Sequence, residues 1–108
     1  MNDVFKALGD PTRRAALDRL FRKNGQTLRE LCAGLRMSRQ GASKHLSILE
    51  GAGLIVVEWE GRQKRHYLNP VPIQRLYARW IHKFERPRLE ALEELKSRME
   101  RGDEDGEA

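Results

Sequence analysis

Gln40, Lys44, Ser47 and Gly51 recur at i, i+4, i+7 and i+11, which is one stripe along a helix, and Arg39 and Ser43 lie beside it. None of these residues is acidic, and none is large and apolar. Such side chains suit contact with a duplex: glutamine can pair with an adenine edge, arginine with guanine, and serine and lysine with bases or phosphates. A second cluster follows, Gly61-Arg62-Gln63-Lys64-Arg65-His66, with three permanent cations in four residues and no acid. On a ribbon tip, that cluster can lie on a phosphate backbone or reach a minor groove. A solvated surface explains either cluster alone. Their arrival in order, helix and then basic ribbon, is harder to ascribe to solubility.

The elements that must hold these residues are legible from capping and periodicity. Thr27-Leu28-Arg29-Glu30 is a capping box. It opens a short helix whose Leu28, Leu31, Cys32 and Leu35 share a face, with Gly34 near its end easing a tight turn. Ser38 caps the next helix, over 39–50, with Ala42, Leu46 and Leu49 facing inward and His45 either a DNA contact or a polar group at the helix–helix boundary. Gly51 and Gly53 close it. The β-branched and apolar stretch 54–60 predicts a strand, Glu60-Gly61-Arg62 a turn, and Gln63–Leu68 the returning strand, which ends at Asn69-Pro70. Two short helices joined by Leu35-Arg36-Met37 set the second across the first and free one of its faces for a major groove.

Upstream, Val4, Phe5 and Leu8 mark a short opening helix that Gly9 ends. Asp10-Pro11 starts another, running to about residue 23, with Ala16, Leu17, Leu20 and Phe21 as its buried stripe. From about residue 72 helical spacing returns in Ile73, Leu76, Tyr77, Trp80, Ile81 and Phe84, and Leu89, Leu92, Leu95 and Met99 continue it. Pro87, between the two runs, should kink or break the helix. The fold class read from this order is mainly α with a small β-hairpin, a winged helix-turn-helix followed by a long C-terminal dimerisation helix. Residues 1–101 form one DNA-binding and dimerisation domain, and 102–108, with four acids, two glycines and no large apolar group, a disordered tail.

Composition bounds the rest. The 108 residues amount to a single domain, with 21 basic and 16 acidic side chains and a net charge of +5. The excess is local: residues 1–70 carry 13 basic and 7 acidic groups, and 71–108 carry 8 and 9. A basic first two-thirds suits a polyanionic partner. No apolar run is long enough to span a bilayer, and no signal-peptide core fits among the charges of the first thirty residues. One cysteine excludes an intrachain disulfide framework and a four-cysteine zinc site, and the expected setting is the reducing cytoplasm.

The chain resembles the ArsR family of bacterial winged helix-turn-helix repressors over roughly residues 4–100. The stretches that carry the likeness are Phe5-Lys-Ala-Leu-Gly-Asp-Pro-Thr-Arg-Arg14, Met37-Ser-Arg-Gln-Gly-Ala-Ser-Lys-His-Leu46, Leu49-Glu-Gly-Ala-Gly-Leu-Ile55 and Gly61-Arg-Gln-Lys-Arg-His-Tyr-Leu-Asn-Pro70. The resemblance implies a homodimer on double-stranded operator DNA with dyad symmetry, and repression relieved by some signal. By position it implies DNA contacts from Ser38, Arg39, Gln40, Ser43, Lys44 and His45, and from Arg62, Lys64 and Arg65 on the wing.

The family's metal sites do not carry over, so the chain resembles the subgroup without the metal-binding cysteine pair, and no metal or cofactor is expected. Cys32 is present, but position 34 is glycine, and one thiolate is not a chelate. Cys32 also falls on the apolar face of its helix and reads as a small buried hydrophobe. Of the family's second zinc motif only His82-Lys-Phe-Glu85 exists; the other half would fall at Asn69 and Val71. His66 reads as a wing residue facing phosphate or solvent, and Trp59 and Trp80 as packing residues.

Two other functions compete with a regulator. A winged-helix protein-interaction module without DNA binding would need a neutral or apolar face at Gln40, Lys44 and Ser47, and would not explain the cations at 62–65. An enzyme would need converging polar groups in a pocket, and the sequence offers no phosphate loop, nucleophile elbow or acid–base pair.

The C-terminal stripe implies a second copy. A helix over 72–101 would be roughly 45 Å long, more than one small core can cover from one side. Trp80, Ile81, Phe84, Leu89 and Leu92, with Val4, Phe5 and Leu8 of the opening helix, are the expected dimer interface.

Overall fold

The computed structural model describes residues 2–84 and 86–107, and the side chains of these except 86–88 and 103–107. Helix α1 (Asn2–Leu8) is short and buries only Ala7 fully. Helix α2 (Pro11–Arg22) starts where the sequence predicts. Asp10 is extended, and its carboxylate accepts from the backbone N–H groups of Thr12 at 2.8 Å and Arg13 at 3.1 Å. The two arginines that follow close the α1–α2 corner. Arg13 donates from Nε to the carbonyl of Ala7 and from Nη2 to that of Lys6, and Arg14 donates from Nη1 to that of Leu8. The last carbonyls of α1 thus gain side-chain donors from α2, and that of Lys6 also accepts from the Gly9 N–H at 3.3 Å.

The Asp10 carboxyl is held below its usual value of 3.8, first by the Arg13 N–H, against an opposing contribution from burial, with help from the Thr12 N–H and the Arg13 and His45 charges. A carboxyl whose folded pKa is depressed contributes stability in full above its unfolded value, and that contribution is lost as pH falls through the folded one. The urea midpoint of the wild type should therefore exceed that of Asp10→Ala fully at pH 7. The gap should narrow below about pH 4. A gap unchanged from pH 7 to pH 2.5 would show that the cap's charge contributes nothing.

Within α2, Ala16, Leu17 and Leu20 are buried, but Phe21 is 79% exposed, against the sequence expectation. At about 100° per residue, Phe21 lies roughly 90° from the centre of the face shared by the other three. The α2 C-terminus is closed by Gln26, whose Nε2 donates to the carbonyls of Arg19 at 2.8 Å and Lys23 at 2.7 Å.

Gln26–Thr27 also forms a strand, β1, that the sequence reading missed. Two residues are too few to show a period. Helix α3 (Leu28–Leu35) begins as a capping box should: Thr27 Oγ1 accepts from the Glu30 N–H and donates to the Glu30 carboxylate, both at 3.3 Å. Burial works to raise the Glu30 pKa, but the ammonium of Lys23 and the Thr27 bonds together hold it below the ordinary value. The turn out of α3 departs from expectation. Its left-handed residue is Arg36, at φ 54° and ψ 48°, and not Gly34. Gly34 serves instead as space: a Cβ there would stand 1.8 Å from Cζ of Arg19.

Helix α4 (Arg39–Gly51) is capped by Ser38, whose Oγ accepts from the Gly41 N–H at 3.1 Å, and it buries Ala42, Leu46 and Leu49. Strands β2 (Ile55–Glu60) and β3 (Gln63–Leu68) form the expected hairpin, with Glu60 opposite Gln63 and Gly61 at φ 62° in the two-residue turn. Strand β1 pairs with the other edge of β3, so the sheet has three strands in the order β1-β3-β2. The core of Ala7, Ala16, Leu17, Leu20, Leu31, Leu46, Leu49, Leu54 and Ile55 joins the helices to the sheet. Val4 and Leu8, expected at a dimer interface, pack half-buried against this core, and only Phe5 of that trio is exposed.

The chain divides into two compact units, Met1–Gln74 and Arg75–Ala108, where the sequence suggested one domain to residue 101. Helix α5 (Val71–Leu76) leads out of the first. The second continues as a π-helical turn (Tyr77–Ile81), a 3-10 turn (His82–Phe84) and helix α6 (Arg86–Glu107). Pro87 falls in the first turn of α6, where a missing N–H costs nothing, so the regular helix changes before the proline and not at it. The α6 backbone is assigned through Glu107, and the stretch 102–108 is the acidic tail of the sequence reading. Residue 108 lies outside the described residues. No helix among the described residues is long and apolar enough to cross a membrane.

Candidate nucleic-acid interface

The capped α4 presents Ser38, Arg39, Gln40, Ser43, Lys44 and Ser47 to solvent, while its opposite face is anchored in the core. Its first turn contains no acid and does contain Arg39. A cation at a helix N-terminus opposes the helix dipole, a small stability cost that is reversed when an anion docks there. Arg29 likewise places a cation in the first turn of α3, there beside the capping-box acid Glu30.

Between α4, the start of α3 and the hairpin lies an open cleft of about 430 Å³. Arg39, Ser43 and Ser47 line it from α4, Arg29 from α3, and Trp59, Arg62 and Lys64 from the hairpin. Four cations and one carboxylate, Glu50, share this surface, and Glu50 lies 3.8 Å from the Lys64 ammonium. Arg39, Ser43, Arg62 and Lys64, all sequence candidates, therefore meet at one site. Ser38, Gln40 and Lys44 stand on the exposed surface of the same helix, outside the cleft lining.

Two candidates are turned away. Alternation along β3 puts Arg65 on the face opposite Lys64. Arg65 is half-buried, bonded through Nε to the Glu60 carboxylate and through Nη1 to the Gly25 carbonyl at 2.9 Å, so it ties the wing to the loop before β1. His45 is half-buried too. Its Nδ1 accepts from Arg13 Nη1 at 3.3 Å, because a guanidinium can only donate. His66, read from sequence as facing phosphate or solvent, is buried, with Nδ1 donating to the Gln26 carbonyl at 2.9 Å.

Sequence reasoning missed Arg29 and treated Trp59 as packing, yet Trp59 is 69% exposed on the cleft. A signal for Arg29 existed: it places a cation in the first turn of a helix, where stability favours an acid. For Trp59, the register that pairs it with Lys64 sets it beside a candidate phosphate ligand, but the register needs the hairpin first. Cys32 is half-buried and free. No group of three potential metal ligands occurs among the described residues, and Glu85 of the His82-x-x-Glu motif lies outside them.

This arrangement has relatives. Residues 8–58 match the family model described as a helix-turn-helix domain. An uncharacterised HTH-type transcriptional regulator of Bacillus subtilis strain 168, YuzN, is 42% identical over 84 residues, which cover 72% of this chain and 91% of that protein. The transcriptional repressor SdpR of the same strain is 36% identical over 74 residues, covering 68% of this chain and 81% of that protein. A crystal structure of an ArsR family transcriptional regulator, RHA00566, superposes with a TM-score of 0.68 at 35% identity, over 76% of this chain and 82% of that one.

Proposed function

We propose that this chain, which belongs to the ArsR family of winged helix-turn-helix transcriptional regulators, is a cytoplasmic repressor that binds a dyad-symmetric operator as a homodimer. The observation that carries the reading is the pairing of a capped, core-anchored α4 with a cationic cleft under the hairpin, both on one unit. Gln40 and Lys44 enter the major groove and meet base edges. Ser38, at the cap, and Ser43 contact the backbone beside them. Arg29, Arg39, Arg62 and Lys64 neutralise phosphates, and Trp59 lies along a sugar. Arg65 and His45 act one step back, Arg65 by fixing the wing and His45 by linking α4 to Arg13. The likeness to SdpR supports repression over activation.

Selection of bound duplexes from a random pool, run with the wild type and with Gln40→Ala, tests this. The wild type should select two half-sites whose centres lie about 34–36 Å apart. Gln40→Ala should lose about 1–3 kcal/mol per half-site and relax the preference at one base pair. Its fold should be unchanged, because Gln40 is exposed. Selection of no common sequence by the wild type would overturn the proposal.

A further inference from the structure

On the other side of α3 from the cationic cleft, a second open pocket of about 520 Å³ lies between the last turns of α2 and the outer face of α3. It is lined by Arg19, Arg22, Lys23, Gln26, Glu30 and Gly34, among others, and shares no lining residue with the first. Three cations face one carboxylate. That carboxylate, Glu30, is engaged by Lys23 at 3.4 Å, so the charges of Arg19 and Arg22 have no counter-ion among the described residues. We infer that this pocket binds a small oxyanion, a phosphate or a carboxylate, on the Arg19 guanidinium.

Two observations support this. The Arg19 Nε is buried and has no hydrogen-bond partner among the described residues. Buried donors in folded proteins nearly always have one, and a guanidinium edge matches the two oxygens of a carboxylate or phosphate. The space Arg19 occupies is also specific, since any side chain at position 34 would displace its guanidinium. The Gln26 amide in the same lining is engaged with the Arg19 and Lys23 carbonyls, so the donors left for an occupant are those of the arginines. Basic residues at a helix C-terminus offset its dipole. That role would be filled by arginines extended into solvent, and it does not require Arg19 to lie over α3 with Nε enclosed.

The pocket is connected to the DNA-binding unit. The Cys32 carbonyl of α3 accepts from the N–H groups of Arg36 and Met37, the turn that leads to the Ser38 cap. An occupant that moved α3 would move the start of α4, and any such coupling is reciprocal in the two affinities.

Titration of the DNA-free protein with inorganic phosphate, and separately with succinate, at constant pH and ionic strength provides the test, followed by the NMR signals of Arg19 Nε–Hε and the Gly34 amide. Both signals should shift saturably with at least one of the two anions, and the anion that saturates at lower concentration identifies the ligand chemistry. Arg19→Gln should weaken binding by about tenfold or more. Gly34→Ala, which pushes the guanidinium aside, should do the same, with thermal unfolding confirming that each variant is folded. If one variant does not fold, the other decides. Shifts that grow linearly and match those from chloride, or binding retained in the folded variants, would overturn the assignment.

Discussion

Replacing Trp80 and Phe84 together with glutamate should convert the protein to monomers and lower its affinity for a full operator by at least about 100-fold. Half or more of each side chain is exposed in the single chain. Ile81, Leu89, Leu92, Leu95 and Met99 are exposed to a similar degree, which leaves apolar side chains on the second unit with no cover among the described residues. Each Å² of such surface withdrawn from water is worth about 25 cal/mol, so pairing two such surfaces is strongly favourable. In the paired state a protomer bound to one half-site holds its copy beside the other, and this effective concentration supplies the 100-fold.

The expectation separates cleanly from a loss of folding. None of the replaced side chains belongs to the core around Leu20, Leu31 and Leu49, so the circular dichroism of the monomer should keep its helical signal. Leu89→Lys with Leu92→Lys should act in the same direction if the interface runs along α6. A wild type that sediments as a monomer at micromolar concentration, yet binds a full operator tightly as one unit, would refute the dimer.

How much of this was legible in the sequence depended on the range of each interaction. Caps are local, so Asp10, Thr27 and Ser38 were placed correctly from their own neighbours. The hairpin register follows from a two-residue turn, so the strand ends at 60 and 63 were legible too. What failed was non-local. Strand β1 exists only because β3 offers it an edge. Gly34 is explained by a guanidinium fifteen residues earlier in the chain, and Arg65 by a carbonyl forty residues away. Adjacency in the sequence groups Arg62, Lys64 and Arg65, and strand alternation sends Arg65 to the other face. The Arg13 and Arg14 side chains, quoted only as part of a resemblance, close the α1–α2 corner through carbonyls that no motif announces.

That division of the wing cations leads to the second large effect. Neutralising Arg29, Arg39 and Arg62 together by glutamine should weaken binding to every duplex alike. It should also flatten the dependence of log affinity on log salt by about five units for a dimer, near 0.9 for each of the six lost phosphate contacts. Base preference should hold, because Gln40 and Lys44 remain. Arg65→Gln should behave differently. It should lower the thermal unfolding temperature through loss of the Glu60 and Gly25 bonds, and change the salt slope little. The contrast isolates geometry from charge, since each single replacement removes one positive charge from the same unit. Were the wing simply a basic surface, Arg62→Gln and Arg65→Gln would shift the salt slope equally, and the cleft would have no special role.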